Sequence, residues 1–380
     1  MKNIGVICEY NPFHNGHAKQ LAAIKETGYA VCLMSGSYVQ RGEPAIMDKT
    51  VRAKAAVRSG ADLVLELPVT YALRSAEGFA SGGVEILQRL GVVDGLCFGS
   101  ESGGIDDIMS TAKLLLTESF SVKLRSELAS GVSFPCARQN ALEALGGNGE
   151  ILENPNDILA VEYCKAILHS NSTLQPMVLQ REGSYHESTD RENPSASVLR
   201  TLKDWNGFVP ETAAQEYKNA PMYQIAAGER AFLARLRAMR EDDFESLPFG
   251  SEGLWRKLMH VCREQTGLED ILTTAKSKRY TRTRLMRMLM CAYLGITEEM
   301  LRESVPYVRV LAMNENGQKT LREARKLSEL PLLHIGETAP ASWYSELERR
   351  AEDLFGLFCS GEIQPPSTGK RERIFRLEQD

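Results

Sequence analysis

The 380-residue sequence lacks any apolar run long enough to cross a bilayer. A membrane-spanning helix needs about 20 consecutive apolar residues, and no stretch approaches that length without a charge. The first residues, MKNIGVICEYNPF, turn polar too early for the apolar core of a secretory signal. These absences argue against a membrane protein and against a secreted protein, so we expect a cytoplasmic location.

Paired cysteines are also missing. The eight cysteines are scattered, and none forms a C-x-x-C pair or a cluster with metal-ligand spacing. Such a distribution is typical of reduced thiols in the cytosol. An excess of positive charge is absent too, because the formal net charge is −5. That value argues against an indiscriminate nucleic-acid coat, although a local basic face remains compatible with it.

Short apolar segments alternate with helix-like segments over the first hundred residues. The strand candidates are 5–8, 29–34, 63–67 and 95–99, and the helix candidates between them are 16–26, 49–59 and 76–90. This alternation predicts a doubly wound α/β sheet, which binds its ligands beyond the carboxyl ends of the strands.

Beyond the first hundred residues, the sequence predicts fewer individual elements. A helix is expected at 158–169, with Asn156 or Asp157 as its N-cap. A junction rich in tryptophan, glycine and proline at 202–221 suggests an α/β domain over 1–205 and a mainly helical domain over 206–380. Short strands are possible at 308–312 and 330–334, and the end from Pro365 onward is expected to be poorly ordered.

Residues 3–20, NIGVICEYNPFHNGHAKQ, carry the strongest functional signal. A strand leads through a tight loop into a helix start, which offers free N–H groups to an anion. Gly16 removes a Cβ where a phosphate would approach the backbone. His14 and His17 lie on one face of the first turn, and their ring N–H groups can stabilise phosphate charge. The pattern indicates nucleotidyl transfer at an α-phosphate, with both histidines catalytic.

H-x-G-H is the pattern of the nucleotidyltransferase superfamily, and the longer string E-Y-N-P-F-H-N-G-H resembles the bacterial tRNA(Met) cytidine acetate ligase family. The resemblance extends from residue 5 to about 200, and again over 276–290 and 306–312. It implies a Rossmann-like nucleotidyltransferase domain that uses ATP with Mg²⁺ to convert acetate to acetyl-adenylate. The acetyl group would then pass to N4 of the wobble cytidine of elongator tRNA(Met).

The resemblance also implies ATP contacts along the first loop and helix, and at Gly99, Asn156 and Arg181. The loop and helix positions are Ile7, Cys8, Glu9, Tyr10, Asn11, Pro12, Phe13, His14, Asn15, Gly16, His17, Ala18, Lys19 and Gln20. An arginine at position 181 would bind a phosphate through two N–H groups.

A second signature is Ser195-Ala196-Ser197-x-x-Arg200. Read alone, it is an ordinary helix cap with a solvent-facing arginine. Beside H-x-G-H it is similar to the superfamily string S-S-T-x-x-R, which implies that Ser195, Ser197 and Arg200 bind the outgoing pyrophosphate. The chain departs from that string at Ala196 and Ser197 but keeps two hydroxyls.

The stretch 276–287, KSKRYTRTRLMR, has six basic and no acidic residues. It is either a solvated helix face or an RNA-binding surface, in which cations contact phosphates and an aromatic ring stacks on a base. A similar K-x-K-R-Y-T-R-x-R string in the acetate ligase family implies tRNA binding by Lys276, Lys278, Arg279, Tyr280, Arg282 and Arg284.

The loop 34–49 also resembles a family string, and we expect it to face the active site with Asp48 as a helix cap. Two other functions remain open. A small-metabolite adenylyl- or cytidylyltransferase would need neither the second domain nor the basic stretch. A non-enzymatic nucleotide-sensing protein would have no need to retain both histidines and the serine helix start.

Overall fold

The computed structural model describes residues 1–102, 104–180, 195–202, 204–366 and 374–378. Its strands are β1 Lys2–Cys8, β2 Gly28–Ser35, β3 Tyr38–Val39, β4 Glu43–Pro44, β5 Leu63–Leu67, β6 Gly95–Ser100, β7 Gln175–Gln180, β8 Val308–Asn314, β9 Leu332–His334 and β10 Phe375–Leu377. Its helices are α1 Asn15–Lys25, α2 Lys49–Arg58, α3 Val69–Ala72, α4 Ala76–Arg89, α5 Ile105–Leu115, α6 Glu118–Ala129, α7 Phe134–Glu143, α8 Pro155–His169, α9 Ala196–Leu199, α10 Glu211–Tyr217, α11 Glu229–Ala238, α12 Glu241–Glu245, α13 Leu254–Glu264, α14 Leu268–Ala275, α15 Arg282–Leu294, α16 Glu298–Arg302, α17 Glu315–Leu327 and α18 Trp343–Phe355.

The central sheet has the strand order β10-β8-β5-β2-β1-β6-β7, with β9 also paired to β8. Strands β5, β2, β1, β6 and β7 run parallel, and β8 is antiparallel to β5. The chain moves outward from β1 through β2 to β5 and then returns to β6 on the other side of β1. This reversal opens a crevice at the carboxyl ends of β1 and β6, where doubly wound sheets bind ligands. The predicted α/β class is confirmed.

Helices cover both faces of the sheet, so its strands are almost entirely apolar. Consecutive residues of β1 point to opposite faces: Ile7 joins a core with α4, α5, α8 and α17, whereas Val6 joins a core with α1, α2 and α10. The predicted strands and helices of the first hundred residues are confirmed, with ends that move by one to three residues.

The second half of the chain contributes to both a helical core and the sheet. Helices α11–α15 and α18 form a third core, which Tyr38 and Leu73 from the first half also enter. The Tyr38 hydroxyl donates to the carbonyl of Ala351 at 2.9 Å. The short strands expected at 308–312 and 330–334 are confirmed as β8 and β9. The sheet therefore draws strands from both sides of residue 205, and the division into domains 1–205 and 206–380 stays a prediction.

Two local predictions are wrong. The N-cap of α8 is Asn154 rather than Asn156 or Asp157, because Pro155 occupies the first helical turn, where its missing N–H has no partner to lose. The expectation of poor order from Pro365 onward is wrong at residues 375–377, which form β10 and pair with β8, while 367–373 and 379–380 lie outside the described residues. The prediction of free thiols is confirmed at all eight cysteines. Within the described ranges, none of the helices has the length and apolar character that crossing a bilayer requires.

A buried ion-pair network joins the two halves of the chain behind the loop 34–49. The Lys49 Nζ lies 2.9 Å from a Glu66 carboxylate oxygen and 2.9 Å from a Glu352 carboxylate oxygen, and the Lys49 side chain is only 3% exposed. The Ser37 hydroxyl donates to the same Glu352 oxygen at 2.8 Å. Lys49 thus connects α2 to β5 and to α18.

We expect Lys49→Met to lower the free energy of unfolding by about 3–5 kcal/mol, because losing one ion of a buried pair leaves its partners uncompensated. Urea denaturation measures this loss. Lys123→Ala is the matched control, since it removes an exposed ion pair with Glu127 on α6 and should cost far less. Equal, small losses in both variants would contradict a structural role for the network.

Candidate active site

A cavity of about 260 Å³ lies at the reversal of the sheet, between the ends of β1 and β6 and the starts of α1, α8 and α9. Many of the residues predicted to contact ATP or its phosphates line it. They are Ile7, Cys8, Glu9, Tyr10, Asn11, His14, His17, Gln20, Gly99, Asn156, Ser195, Ser197 and Arg200. The structure thus brings residues from four separate parts of the sequence (7–20, 99, 156 and 195–200) to one edge of the sheet.

The two histidines form the N-terminal cap of α1. The Nδ1 atom of His14 accepts the Gly16 N–H at 3.1 Å, and the Nδ1 atom of His17 accepts the His14 N–H at 3.2 Å. Their rings stack with centroids 3.7 Å apart. Because each Nδ1 accepts a hydrogen bond, each neutral ring carries its proton on Nε2, which is therefore a donor. The two rings thus place their Nε2 donors side by side at the helix start, whose backbone N–H groups are already bonded within the protein.

Aromatic residues and a distant segment hold this loop in place. The ring centroids of Tyr10 and Phe13 lie 4.9 and 5.5 Å from that of His17. The Phe13 N–H donates to the Tyr217 hydroxyl at 3.0 Å, and the Asn15 side-chain amide donates to the Gly207 carbonyl at 2.8 Å. The segment 207–217, read from the sequence only as a junction, therefore supports the H-x-G-H loop.

Arg52, which no sequence motif pointed to, bonds to several of the loops around the cavity. Its fully buried guanidinium donates to the carbonyls of Met47 at 3.0 Å, Glu9 at 2.6 Å and Ser35 at 3.0 Å, and also to that of Gly36. Burial lowers the pKa of Arg52 from its usual value. Arginines on helices usually lie at the surface, so no sequence signal marked this one.

The loop 34–49 faces the cavity, as its sequence suggested. Gln40 and Arg41 line the wall, and the Gln40 N–H donates to the Glu9 carboxylate at 2.7 Å. Glu9 is the only carboxylate along the cavity within the described residues, and burial raises its pKa above the usual value despite that hydrogen bond. Asp48 caps α2 as predicted, because its carboxylate accepts the Thr50 N–H at 2.8 Å.

Ser195, Ser197 and Arg200 form a short polar segment along the cavity, which we call the serine corner. Ser195 caps α9 by accepting the Val198 N–H at 3.4 Å, and this helix has only four residues. The Arg200 guanidinium donates to the Asn11 carbonyl at 2.9 Å and to the Ser197 hydroxyl at 3.2 Å. Arg200 thereby ties the serine corner to the histidine loop, so the two sequence motifs form one wall.

The start of α8 is fixed to the end of β6 by a reciprocal network. The buried Asp157 carboxylate accepts the N–H groups of Glu101 at 2.9 Å and Ser102 at 3.2 Å. In return, the Glu101 carboxylate accepts the Asp157 N–H at 3.1 Å and a hydrogen bond from the Asn156 side chain. Asn156 is thus held beside the strand end that contains Gly99.

Several predicted residues lie elsewhere. Pro12, Phe13, Asn15, Gly16, Ala18 and Lys19 belong to the same loop and helix but do not line the cavity. Their contact with ATP stays a prediction, as do the roles of those that line it. Arg181 lies outside the described residues.

The basic stretch forms a turn and the start of α15. The backbone and side chain of Ser277 bond to the Tyr280 backbone, and the Arg284 guanidinium lies 5.3 Å from the Tyr280 ring centroid. Surface carboxylates pair with two of the cations: Arg279 with Glu252 at 3.1 Å and Arg282 with Glu269 at 2.7 Å. Lys276 and Lys278 are exposed. None of these residues lines the histidine cavity.

The apolar wall of the cavity was also missed by sequence reasoning. Phe79, Phe98, Leu159 and Tyr163 line it from α4, β6 and α8, and the Phe98 and Tyr163 ring centroids are 5.5 Å apart. Buried apolar residues at these positions look like ordinary core in a sequence. The cavity therefore has an apolar wall on one side and Arg41, Arg200 and the histidine donors on the other. This arrangement fits a nucleotide with its phosphates.

Gly16→Ala tests the crowding at the helix start. A Cβ at Gly16 would lie 2.9 Å from the His14 ring, so the ring must leave its stacked position. We expect ATP to bind at least about tenfold more weakly in calorimetry, which is a loss of about 1.4 kcal/mol. Gly361→Ala, where a Cβ meets nothing within 4 Å, should bind like the parent chain. Equal affinities of all three proteins would show that the His14 position does not govern ATP binding.

Comparison with known proteins gives consistent matches. The model of the HIGH Nucleotidyl Transferase family matches residues 1–368. A protein named tRNA(Met) cytidine acetate ligase from Clostridium novyi is 38% identical over 357 residues, which cover 87% of this chain and 89% of that protein. The crystal structure of apo Thermotoga maritima TmcAL superposes with a TM-score of 0.89 at 31% identity and covers 99% of this chain and 100% of that one. The structure of the same protein bound with alpha-thio ATP gives a TM-score of 0.88 at 30% identity, with the same coverage.

Proposed function

Because the chain belongs to the tRNA(Met) cytidine acetate ligase family of HIGH nucleotidyl transferases, we propose that it joins acetate to a tRNA cytidine at the expense of ATP. The substrates are ATP, acetate and elongator tRNA(Met), and the product is N4-acetylcytidine at the wobble position. The observation that carries this proposal is the stacked pair His14 and His17, whose Nε2–H donors stand at a helix start on the reversal of the sheet. We also propose a cytoplasmic location, which a tRNA substrate supports.

In the first step an acetate oxygen attacks the α-phosphorus of ATP, and the bond to the β-phosphate oxygen breaks. Acetyl-adenylate forms and pyrophosphate leaves. Such a transfer needs positioned reactants and stabilised charge more than covalent help from the protein. His14 and His17 donate hydrogen bonds to the phosphate oxygens, where preorganised donors act most strongly because water is excluded.

The serine corner binds the leaving pyrophosphate in this proposal. The hydroxyls of Ser195 and Ser197 and the guanidinium of Arg200 line the cavity within one short segment. Arg181 is proposed to bind a phosphate as well, on the resemblance alone.

We propose that Mg²⁺ binds together with ATP. The described residues hold no cluster of three metal-ligating side chains, and Glu9 is the one carboxylate they place along the cavity. This set fits an ion that keeps its waters and binds chiefly to substrate phosphates. No step assigned to the protein's own residues depends on the ion.

In the second step the exocyclic N4 of cytidine attacks the acetyl carbonyl of the adenylate. The bond from the carbonyl carbon to the phosphate oxygen breaks, AMP leaves, and N4 loses a proton. The mixed anhydride must be kept from water until the cytidine arrives. Phe79, Phe98, Leu159 and Tyr163 form the apolar wall that would exclude it.

The decisive experiment incubates the protein with ATP, labelled acetate and bulk tRNA. We expect the label on a cytidine of tRNA(Met), with AMP and pyrophosphate released. Acetate-dependent exchange of pyrophosphate into ATP, measured without RNA, isolates the first step. Label in a small-molecule product instead of RNA would favour a metabolite nucleotidyltransferase.

His14→Ala and His17→Ala should each slow acetate-dependent pyrophosphate exchange by about 10²–10³, the usual loss for one positioned charge stabiliser. Circular dichroism checks the fold. His169→Ala, an exposed histidine at the end of α8, should exchange like the parent chain. Parent-like rates in both cavity variants would contradict the assignment of the site.

Neutralising Lys278, Arg279 and Arg282 together tests the basic stretch. Each lost phosphate contact should reduce the slope of log K for tRNA against log salt by about 0.7–0.9. Binding titrations over a salt series measure this. Replacing the exposed Lys319, Arg322 and Lys326 on α17 removes the same charge and should leave the slope unchanged. If the two triple variants behave alike, the stretch is only a solvated face.

A further inference from the structure

A second, larger depression lies between the two halves of the chain, and we call it the interdomain groove. Its volume is about 930 Å³. One wall consists of the start of α4, the middle of α8 and parts of α5–α7. The other wall consists of residues 248–251, the start of α15 and α16. The conversion of acetate and ATP to an adenylate makes no use of this groove.

Positive charge dominates the interdomain groove, although the chain as a whole is acidic. Six cations line it, against the three carboxylates of Glu77, Glu162 and Glu298. The cations are Arg74, Arg138, Lys165, Arg284, Arg287 and Arg302. A concave surface with such an excess attracts a polyanion.

The carboxylates only partly neutralise these cations. The Lys165 Nζ lies 3.0 Å from Glu77 and 2.8 Å from Glu162. Arg138 also pairs with Glu162, at 2.5 Å, and Arg302 pairs with Glu298 at 2.6 Å, so three of the six cations have a carboxylate partner. The buried Nε of Arg287 has no hydrogen-bond partner among the described residues.

Aromatic rings stand among the cations. Phe134 begins α7 and is 54% exposed. Phe249 lies on the opposite wall, 5.9 Å from the Arg287 guanidinium. Cations interleaved with aromatic rings are the surface that single-stranded RNA prefers, because phosphates pair with the charges and unstacked bases lie on the rings.

The interdomain groove adjoins the histidine cavity through shared helices. On α8, Leu159 and Tyr163 face the cavity, whereas Glu162 and Lys165 face the groove. On α4, Phe79 faces the cavity and Glu77 the groove. Arg284 also links the groove to the basic stretch at 276–287. A strand lying in the groove would therefore pass beside the place where the adenylate forms.

We infer that the interdomain groove binds a single-stranded segment of the RNA substrate, next to the cytidine that is acetylated. The inference rests on the proposed function and extends it, since it assigns the RNA-binding surface to residues of both halves. Its volume of about 930 Å³ exceeds the 260 Å³ of the histidine cavity, as a segment longer than one base requires.

Two exposed positions test the groove without disturbing the core. Phe134→Ala removes the exposed ring, and we expect tRNA to bind about fivefold or more weakly with an unchanged salt slope, because stacking releases no counterions. Arg302→Ala removes a cation that is 76% exposed, and we expect its salt slope to fall by about 0.7. Binding titrations over a salt series measure both quantities in the full-length chain.

The controls carry the same changes on α17, which contacts the amino ends of β1 and β5, away from the groove. Leu327→Ala removes an apolar side chain that is 62% exposed, and Arg322→Ala removes an exposed cation. Both should bind tRNA like the parent chain. Unchanged affinity and slope in both groove variants would overturn the inference, and so would equal losses in groove and control variants.

Separate measurements test RNA binding in the groove and the proposed ligase activity. Acetate-dependent pyrophosphate exchange needs no RNA, so its absence in the parent chain would refute the ligase activity while the binding titrations still judge the groove. If the parent chain exchanges pyrophosphate but does not bind tRNA, the inference that RNA binds in the groove is refuted.

Discussion

The buried guanidinium of Arg52 is the constraint on which the edge of the histidine cavity depends. Parallel strands end in carbonyls that no neighbouring strand can satisfy, and leaving such groups buried and unpaired is costly. Arg52 donates to three such carbonyls, at Glu9, Ser35 and Gly36, and also to the Met47 carbonyl just before α2. One side chain therefore fixes the ends of β1 and β2 and the approach to α2. The positions of Glu9 and of the loop 34–49 around the cavity follow from this arrangement.

Charge at the cavity is supplied mainly by groups that are preorganised before a ligand arrives. The histidine rings cap α1, hold each other by stacking and have their tautomers set by backbone N–H groups. Arg200 is oriented by the Asn11 carbonyl and the Ser197 hydroxyl. Donors that need not reorganise interact strongly with a charged ligand, and more so next to an apolar wall than in water.

The two halves of the chain contact each other through strand pairing, hydrogen bonds and ion pairs. Strand β8 extends the sheet, residues 207–217 support the histidine loop, and Lys49 joins both halves through buried ion pairs. Helices α4 and α8 separate the histidine cavity from the interdomain groove by only their own width. An enzyme that makes a labile anhydride and hands it to a macromolecule benefits from such closeness, because the intermediate need not leave its site.

The strand-loop-helix unit with His14 and His17 can be predicted from the amino-acid sequence, because the geometry of that unit is local and its residues are few and distinctive. The α/β class, the serine signature and the basic stretch can be predicted too, since each is a contiguous pattern. The contacts of Arg52, the wall around Tyr163 and the place of β8 in the sheet appear only in the folded chain. These residues act through contacts with segments far away in the chain, and a buried arginine or phenylalanine carries no local mark of its partners. The interdomain groove likewise exists only where two distant halves of the chain pack together.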